Sequence, residues 1–170
     1  MNPIRIIGIG SPFGGDRIAW EAVDAIAHGG MLDRFPRDIV QTFCTGAPAT
    51  DLLPMMSGAK AVILIDAVSS GALPGTVHKI DASKLMIEAE NLSSHALGVP
   101  ECLALGSSLG MLPKTVLLYG VEIREDGTDE GATAPMPDLL RAIAGELEAL
   151  VRLDERARAQ HRSRANGNDG

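Results

Sequence analysis

Ile4-Arg5-Ile6-Ile7-Gly8-Ile9 is a short β-branched run ended by glycines, and it reads as a buried strand rather than an amphipathic helix. A glycine-rich turn, Gly10 to Asp16, follows it. Then Ile18, Ala19, Ala22, Val23, Ile26 and Ala27 recur at helical spacing until Gly29-Gly30 stops the pattern. Strand, turn and helix in that order are the first unit of a wound α/β protein, and the rest of the chain continues the alternation. Asp38 to Phe43 predicts a second strand and Thr50 to Met56 a short helix. Ala61-Val62-Ile63-Leu64-Ile65 is almost continuously apolar, as in a parallel strand covered on both faces, and Asp66 stands at its end. Ser70 to Gly75 is a turn, Thr76 to Ile80 an edge-type strand, Pro100 to Leu109 a helix and Thr115 to Val121 the last apolar strand. Beyond the loop Glu125 to Pro137, Leu139, Leu140, Ile143, Leu147, Leu150 and Val151 mark a C-terminal amphipathic helix. These elements predict a three-layer α/β sandwich around a mostly parallel sheet. Residues 1–155 are expected to form a single domain, with 156–170 a disordered tail.

Composition agrees with one compact domain. The 170 residues are 45% hydrophobic and 22% charged, near globular averages, which excludes disordered and fibrous classes. Residues 1–151 hold ten Lys and Arg against nineteen Asp and Glu, and the whole chain has one Trp, one Tyr and three Phe. An acidic body so poor in aromatics lacks the footprint of a nucleic-acid binder. No apolar run reaches membrane-spanning length, and the N-terminus opens into a strand without the sections of a signal peptide, so a cytoplasmic protein with no membrane partner is expected. Cys44 and Cys102 are too few and too far apart for a disulfide framework or a cysteine-rich zinc site.

Ligands of open α/β sheets sit at the carboxyl ends of the strands, which singles out Gly8 to Asp16, Asp66-Ala67-Val68 and Ser93-Ser94-His95. The first resembles a dinucleotide loop only loosely. G-x-G-x-x-x-G has one residue too many, and Asp16 would place a negative charge where pyrophosphate must lie. Asp16 can equally stabilise the start of the helix through unpaired N–H groups and the dipole. Asp66 ends an apolar strand and so must be solvated, hydrogen-bonded or bound. His95 can be a ligand, an acid/base group or a satisfied loop histidine. His28, His78 and His161 fall on a helix end, an edge strand and the tail, which makes them surface residues. Together Asp16, Asp66 and His95 form an O,O,N set with open positions, suited to a borderline divalent cation such as Ni²⁺ or Zn²⁺. A nucleophilic alternative would combine Asp66 and His95 with Ser69, Ser93, Ser94 or Cys44. No G-x-S-x-G elbow is read in support of it, and Cys102 falls on the apolar face of its helix as a core cysteine.

Three blocks in order now carry a resemblance. They are Gly8-Ile9-Gly10-Ser11-Pro12 with Gly14-Gly15-Asp16-Arg17-Ile18; Val62 to Asp66 with Ala67, Gly71, Pro74, Gly75 and Thr76; and Ser93, His95 and Gly98 with Leu109-Gly110, Pro113 and Gly120-Val121-Glu122. Over about residues 4 to 123 the chain resembles the hydrogenase maturation proteases, endopeptidases that trim the C-terminus of the large subunit of nickel-iron hydrogenases. Ser11 stands where that family usually has Asn, Gly15 where it has a first acid and Ala19 where it has Gly. Asp16 matches the family's second acid; an ungapped reading of the loop would put Arg17 at that position instead. Phe43-Cys44-Thr45-Gly46 also lacks an acid often found there.

The resemblance implies an aspartyl-type endopeptidase that removes the C-terminal extension of a hydrogenase large-subunit precursor. Asp16, Asp66 and His95 would be its metal-facing and catalytic residues. Nickel would be supplied by the substrate, already held by cysteine thiolates, and no organic cofactor is expected. Specificity is expected in the loops, Glu125 to Pro137 among them. The competing expectation is a non-catalytic metal- or nucleotide-binding α/β module that has kept the fold.

Overall fold

The computed structural model describes residues 3–36, 38–82, 93–94, 98–124 and 136–166. The β-branched runs form the centre of the molecule. Strands β1 (Ile4–Ile9), β2 (Val40–Thr45), β3 (Ala61–Ser69) and β6 (Thr115–Glu122) are parallel, β4 (Val77–Asp81) is antiparallel to β6, and the two-residue β5 (Ser93–Ser94) is antiparallel to the end of β3. The order across the sheet is β2-β1-β3-β6-β4, with β5 paired to β3 off that path. β4 is therefore an edge strand, as its mixed composition predicts.

Among the described residues, four helices cover the two faces: α1 (Arg17–His28), α2 (Pro48–Met56), α3 (Val99–Ser108) and α4 (Met136–Asn166). On one side Ile18, Ala22 and Ile26 of α1 and Leu139, Ile143 and Leu147 of α4 pack on Ile6, Ile63, Ile65 and Tyr119. On the other, Leu52 and Met56 of α2 with Val99 and Leu103 of α3 pack on Ile7, Val62, Leu64 and Leu118. The alternation of strand residues between these two cores is the period-2 pattern that makes each central strand apolar throughout. The result is the three-layer sandwich. None of the helices is long and apolar enough to cross a membrane, among the described residues.

Two boundaries differ from the sequence expectation. β3 continues four residues past Ile65, because Asp66, Ala67 and Val68 pair with Gly120, Val121 and Glu122 of β6, and Val68 and Ser69 pair with β5. Asp66 thus lies inside the strand rather than at its end. The segment from Arg156, expected to be a disordered tail, continues α4 to Asn166. Its Arg, Ala and Gln residues are good helix formers, and Lys60, just before β3, pairs with Asp154 to hold the helix against the body.

Candidate active site

The first wall of the site is built by glycines. Gly8 lets α1 lie directly on β1, since a Cβ there would stand 2.8 Å from the Ala19 carbonyl oxygen. Gly10, at φ +142°, turns the chain back so that a Cβ would meet the Asp16 carbonyl oxygen at 2.5 Å. Only glycine fits both the conformation and the approach. The Gly10 amide donates to Thr45 at the end of β2, 3.0 Å away. The Thr45 hydroxyl in turn donates to Asp51 of α2 at 2.6 Å, so a carboxylate does stand near the end of β2, supplied by the next helix. A single 3-10 turn, Gly14–Asp16, then leads into α1.

Asp16 occupies the N-cap position of α1, yet its side chain makes no capping hydrogen bond and its backbone is already helical at φ −70°, ψ −16°. The hydrogen-bonded cap expected of this residue is therefore not formed. The neighbouring Arg17 pairs with Glu21 one turn along α1 at 3.1 Å. Asp16, half-buried, is the acid of this loop whose charge reaches Asp66.

Asp66 is 2% exposed. Burial pushes its carboxyl up to about 8, a hydrogen bond from the Ala67 backbone acts against that, and the nearby Asp16 charge adds to it. Its Oδ2 is buried and has no hydrogen-bond partner among the described residues. An unpartnered carboxylate oxygen in the interior is costly, and a carboxyl raised by desolvation and a second acid is characteristic of chemical sites. β5 brings the backbone of Ser94 beside Val68, two residues past Asp66. His95, the next residue and the third expected member, lies outside the described residues, as do 125–135 of the loop expected to set specificity. Asp16 and Asp66 are thus brought together. Among the described residues, no three His, Cys, Asp or Glu side chains cluster as a complete metal site.

The thiol alternative finds no support. Burial raises both Cys44 and Cys102 above the usual thiol range, with the Asp24 charge adding to it at Cys44, so neither is poised as a thiolate. A G-x-S-x-G sequence does occur, Gly106 to Gly110, but it closes α3 instead of joining a strand to a helix, and the Ser108 hydroxyl is spent on the Ala104 carbonyl at 2.9 Å.

Glu122 is a buried acid that the sequence reading of the site misses, although the criterion that marks Asp66, a carboxylate after an apolar strand, marks it equally. It is 2% exposed and both its oxygens are used. Oε1 accepts from the Ser70 and Gly71 amides at 2.6 and 3.0 Å, while Oε2 accepts from the Ser70 hydroxyl at 2.8 Å and lies 3.0 Å from His78 Nε2. Burial would raise this carboxyl, but the hydrogen bonds from Ser70, His78 and Gly71 outweigh it and hold it below its ordinary value. Glu122 is a clamp on the β3–β4 turn. His78, expected on the surface, is partly buried against it because the antiparallel register sets His78 opposite Gly120, which has no side chain in the way. His28 is exposed and pairs with Asp24.

The β3–β4 turn and the end of β6 line an open cleft of about 480 Å³, whose walls include Gly71, Pro74, Glu122, Ile123 and Arg124. Gly15, next to Asp16, rests on Ile123; a Cβ at Gly15 would come within 3.2 Å of its Cδ1. Ile123 thus touches both the cleft and the loop that carries Asp16.

Residues 33–148 match the family model described as hydrogenase maturation protease. The chain is 28% identical over 165 residues to the hydrogenase expression/formation protein HupD of Thiocapsa roseopersicina, spanning 94% of this chain and 73% of that one. Among solved structures it is similar to the hydrogenase maturating endopeptidase HybD of Escherichia coli, with a TM-score of 0.63 at 22% identity over 85% of this chain and 93% of that one. It is also similar to the [NiFe] hydrogenase maturation protease HybD of Thermococcus kodakarensis, with a TM-score of 0.61 at 17% identity over 85% and 98%. The likeness to these structures is one of fold.

Proposed function

The chain belongs to the hydrogenase maturation proteases, peptidases that process a hydrogenase precursor, and from that premise we propose that it cuts the C-terminal extension from a large-subunit precursor already loaded with nickel. Asp16, Asp66 and His95 complete the coordination of that nickel, which belongs to the substrate. One observation carries the reading: the Asp66 carboxyl is buried, has an oxygen without a partner among the described residues, and lies in the field of Asp16. Two acids placed so that neither relieves the other are unfavourable alone and become favourable when a divalent cation arrives. Carboxylate oxygens with one imidazole suit a borderline cation.

Asp66 then gives up its proton on engagement, so recognition of nickel is coupled to charging the site. Binding through the metal fixes the precursor's backbone beside the protease and converts an intermolecular hydrolysis into an oriented local one. The Glu122 clamp keeps the β3–β4 turn in place while the chain is held. The test is processing of a nickel-loaded large-subunit precursor by Asp16→Asn, Asp66→Asn and His95→Ala, beside Cys44→Ala and Cys102→Ala. Each of the first three is expected to lose at least about a hundredfold in rate, on the scale of a missing electrostatic contact to a reacting centre, with the fold retained by circular dichroism. The cysteine variants are expected to process normally. Normal cleavage by all three site variants overturns the assignment, and loss in a cysteine variant moves the chemistry to a thiol.

A further inference from the structure

We propose that Asp51 is a positioning residue for Asp16, acting through Thr45 and Gly10 to fix the point at which the loop carrying Asp16 leaves the sheet. The proposal rests on the carboxylate site described above and adds to it an acid that acts through the backbone. Asp51 belongs to none of the three stretches that carry the expected site residues. It is a half-buried residue in the first turn of α2, six residues beyond the end of β2.

An acid in the first turn of a helix ordinarily serves the free amides or the dipole there. Asp51 uses its oxygens differently. Oδ2 accepts from the Thr45 hydroxyl at 2.6 Å and Oδ1 from the Thr50 hydroxyl at 2.8 Å. The amides of that turn are satisfied elsewhere: Ala47 donates to the Thr45 hydroxyl oxygen at 3.0 Å, and Thr50 and Asp51 donate to the Ala47 carbonyl at 3.1 Å each. A hydroxyl donating to a carboxylate makes a short, charge-assisted hydrogen bond. With its one proton committed to Asp51, the Thr45 oxygen can only accept from Ala47. The hydroxyl is thereby held in one orientation, and Thr45 with it.

Thr45 is the last residue of β2 and is 3% exposed. The parallel pairing of β1 with β2 ends where Ile9 stands opposite Thr45. The next bond is the one from the Gly10 amide to the Thr45 carbonyl, at 3.0 Å. Gly10 then turns the chain at φ +142°, with its backbone so near Asp16 that a Cβ would lie 2.5 Å from the Asp16 carbonyl oxygen. Gly46 also packs on Gly10, where a Cβ would come within 3.2 Å of the Gly10 carbonyl oxygen. Contacts this close transmit a shift instead of absorbing it, so a movement of Thr45 reaches Gly10 and, through Gly10, Asp16. A displacement of about 1 Å at a group that meets a reacting centre is enough to lower a rate by orders of magnitude.

The experiment measures kcat/KM, with enzyme in excess, for processing of a nickel-loaded large-subunit precursor by wild type, Asp51→Ala, Thr45→Val, Thr45→Ser, Asp16→Asn and the Asp16→Asn/Asp51→Ala double variant. Hydrogen exchange of the Gly10 amide is followed in wild type and Asp51→Ala. Asp51→Ala and Thr45→Val are each expected to lose at least about tenfold, while Thr45→Ser, which keeps the hydroxyl, stays within about threefold of wild type. In the Asp16→Asn background Asp51→Ala is expected to cost less than about threefold more, because residues that act as one unit are not additive. The Gly10 amide of Asp51→Ala is expected to exchange at least about tenfold faster, a larger factor than for Ile63 in the middle of β3. A wild-type rate for Asp51→Ala or Thr45→Val, an equal loss from Asp51→Ala in both backgrounds, or unchanged Gly10 exchange overturns the proposal. Should Asp16→Asn cut at the wild-type rate, the carboxylate reading falls, and the Gly10 exchange still decides whether Asp51 holds the loop.

Discussion

A carboxyl group held at about 8 makes Asp66 a liability to the folded protein as well as its most reactive feature. In the unfolded chain the same group titrates near 3.8. Because the folded value is the higher, the favourable contribution is whole below about pH 4 and is lost as the pH rises to 8, at about 1.4 kcal/mol for each unit by which the two values differ. Asp66→Asn removes the titration. Its melting temperature is expected to gain on wild type as the pH rises from 5 to 9, by at least about 5 °C at the upper end; a gap independent of pH would mean that burial does not raise this group. Asp66 could be found in the sequence because its five preceding apolar residues announce the environment that perturbs it. The pairing of Glu122 with His78 could not, since it depends on an antiparallel register between β4 and β6 that no local pattern encodes.

At the scale of elements, the contact that places Asp16 is the one between β1 and α1. Gly8 brings them together, and a methyl group there would meet the Ala19 carbonyl oxygen at 2.8 Å and Val23 Cγ2 at 2.9 Å. Gly8→Ala must push α1 away from the sheet and carry Asp16 with it. The expected outcome is a loss of about 1–3 kcal/mol in urea unfolding, typical of overpacking, together with a fall in kcat/KM for precursor processing. A Gly8→Ala protein as stable and active as wild type would show that the helix does not position the acid. The strand-turn-helix unit itself is legible, because Ile4 to Ile9 and the 3.6-residue recurrence from Ile18 to Ile26 are strong local signals. The extra length of β3 is not, for it comes from partners on β5 and β6. The continuation of α4 past Arg156 is a case in which helix-forming residues won over a polar composition that reads as a tail.

For the whole molecule, the wound topology brings three distant stretches to one end of the sheet: the loop after β1, the end of β3 and the two residues of β5. That convergence is legible from strand order alone, since apolar runs with chemistry at their carboxyl ends define where ligands sit. The cleft beside it is not, because its walls come from a turn and a strand end whose closeness is set by the Glu122 hydrogen bonds. In the function proposed above, two neighbouring acids, one of them buried with an oxygen unpartnered among the described residues, are half of a metal site whose other half arrives with the substrate. The most direct test is to give the wild-type protein the same large-subunit precursor with and without nickel and follow the loss of the C-terminal extension by mass spectrometry. Cleavage of the nickel-loaded precursor and none of the nickel-free one is expected; equal cleavage of both would contradict recognition through the metal.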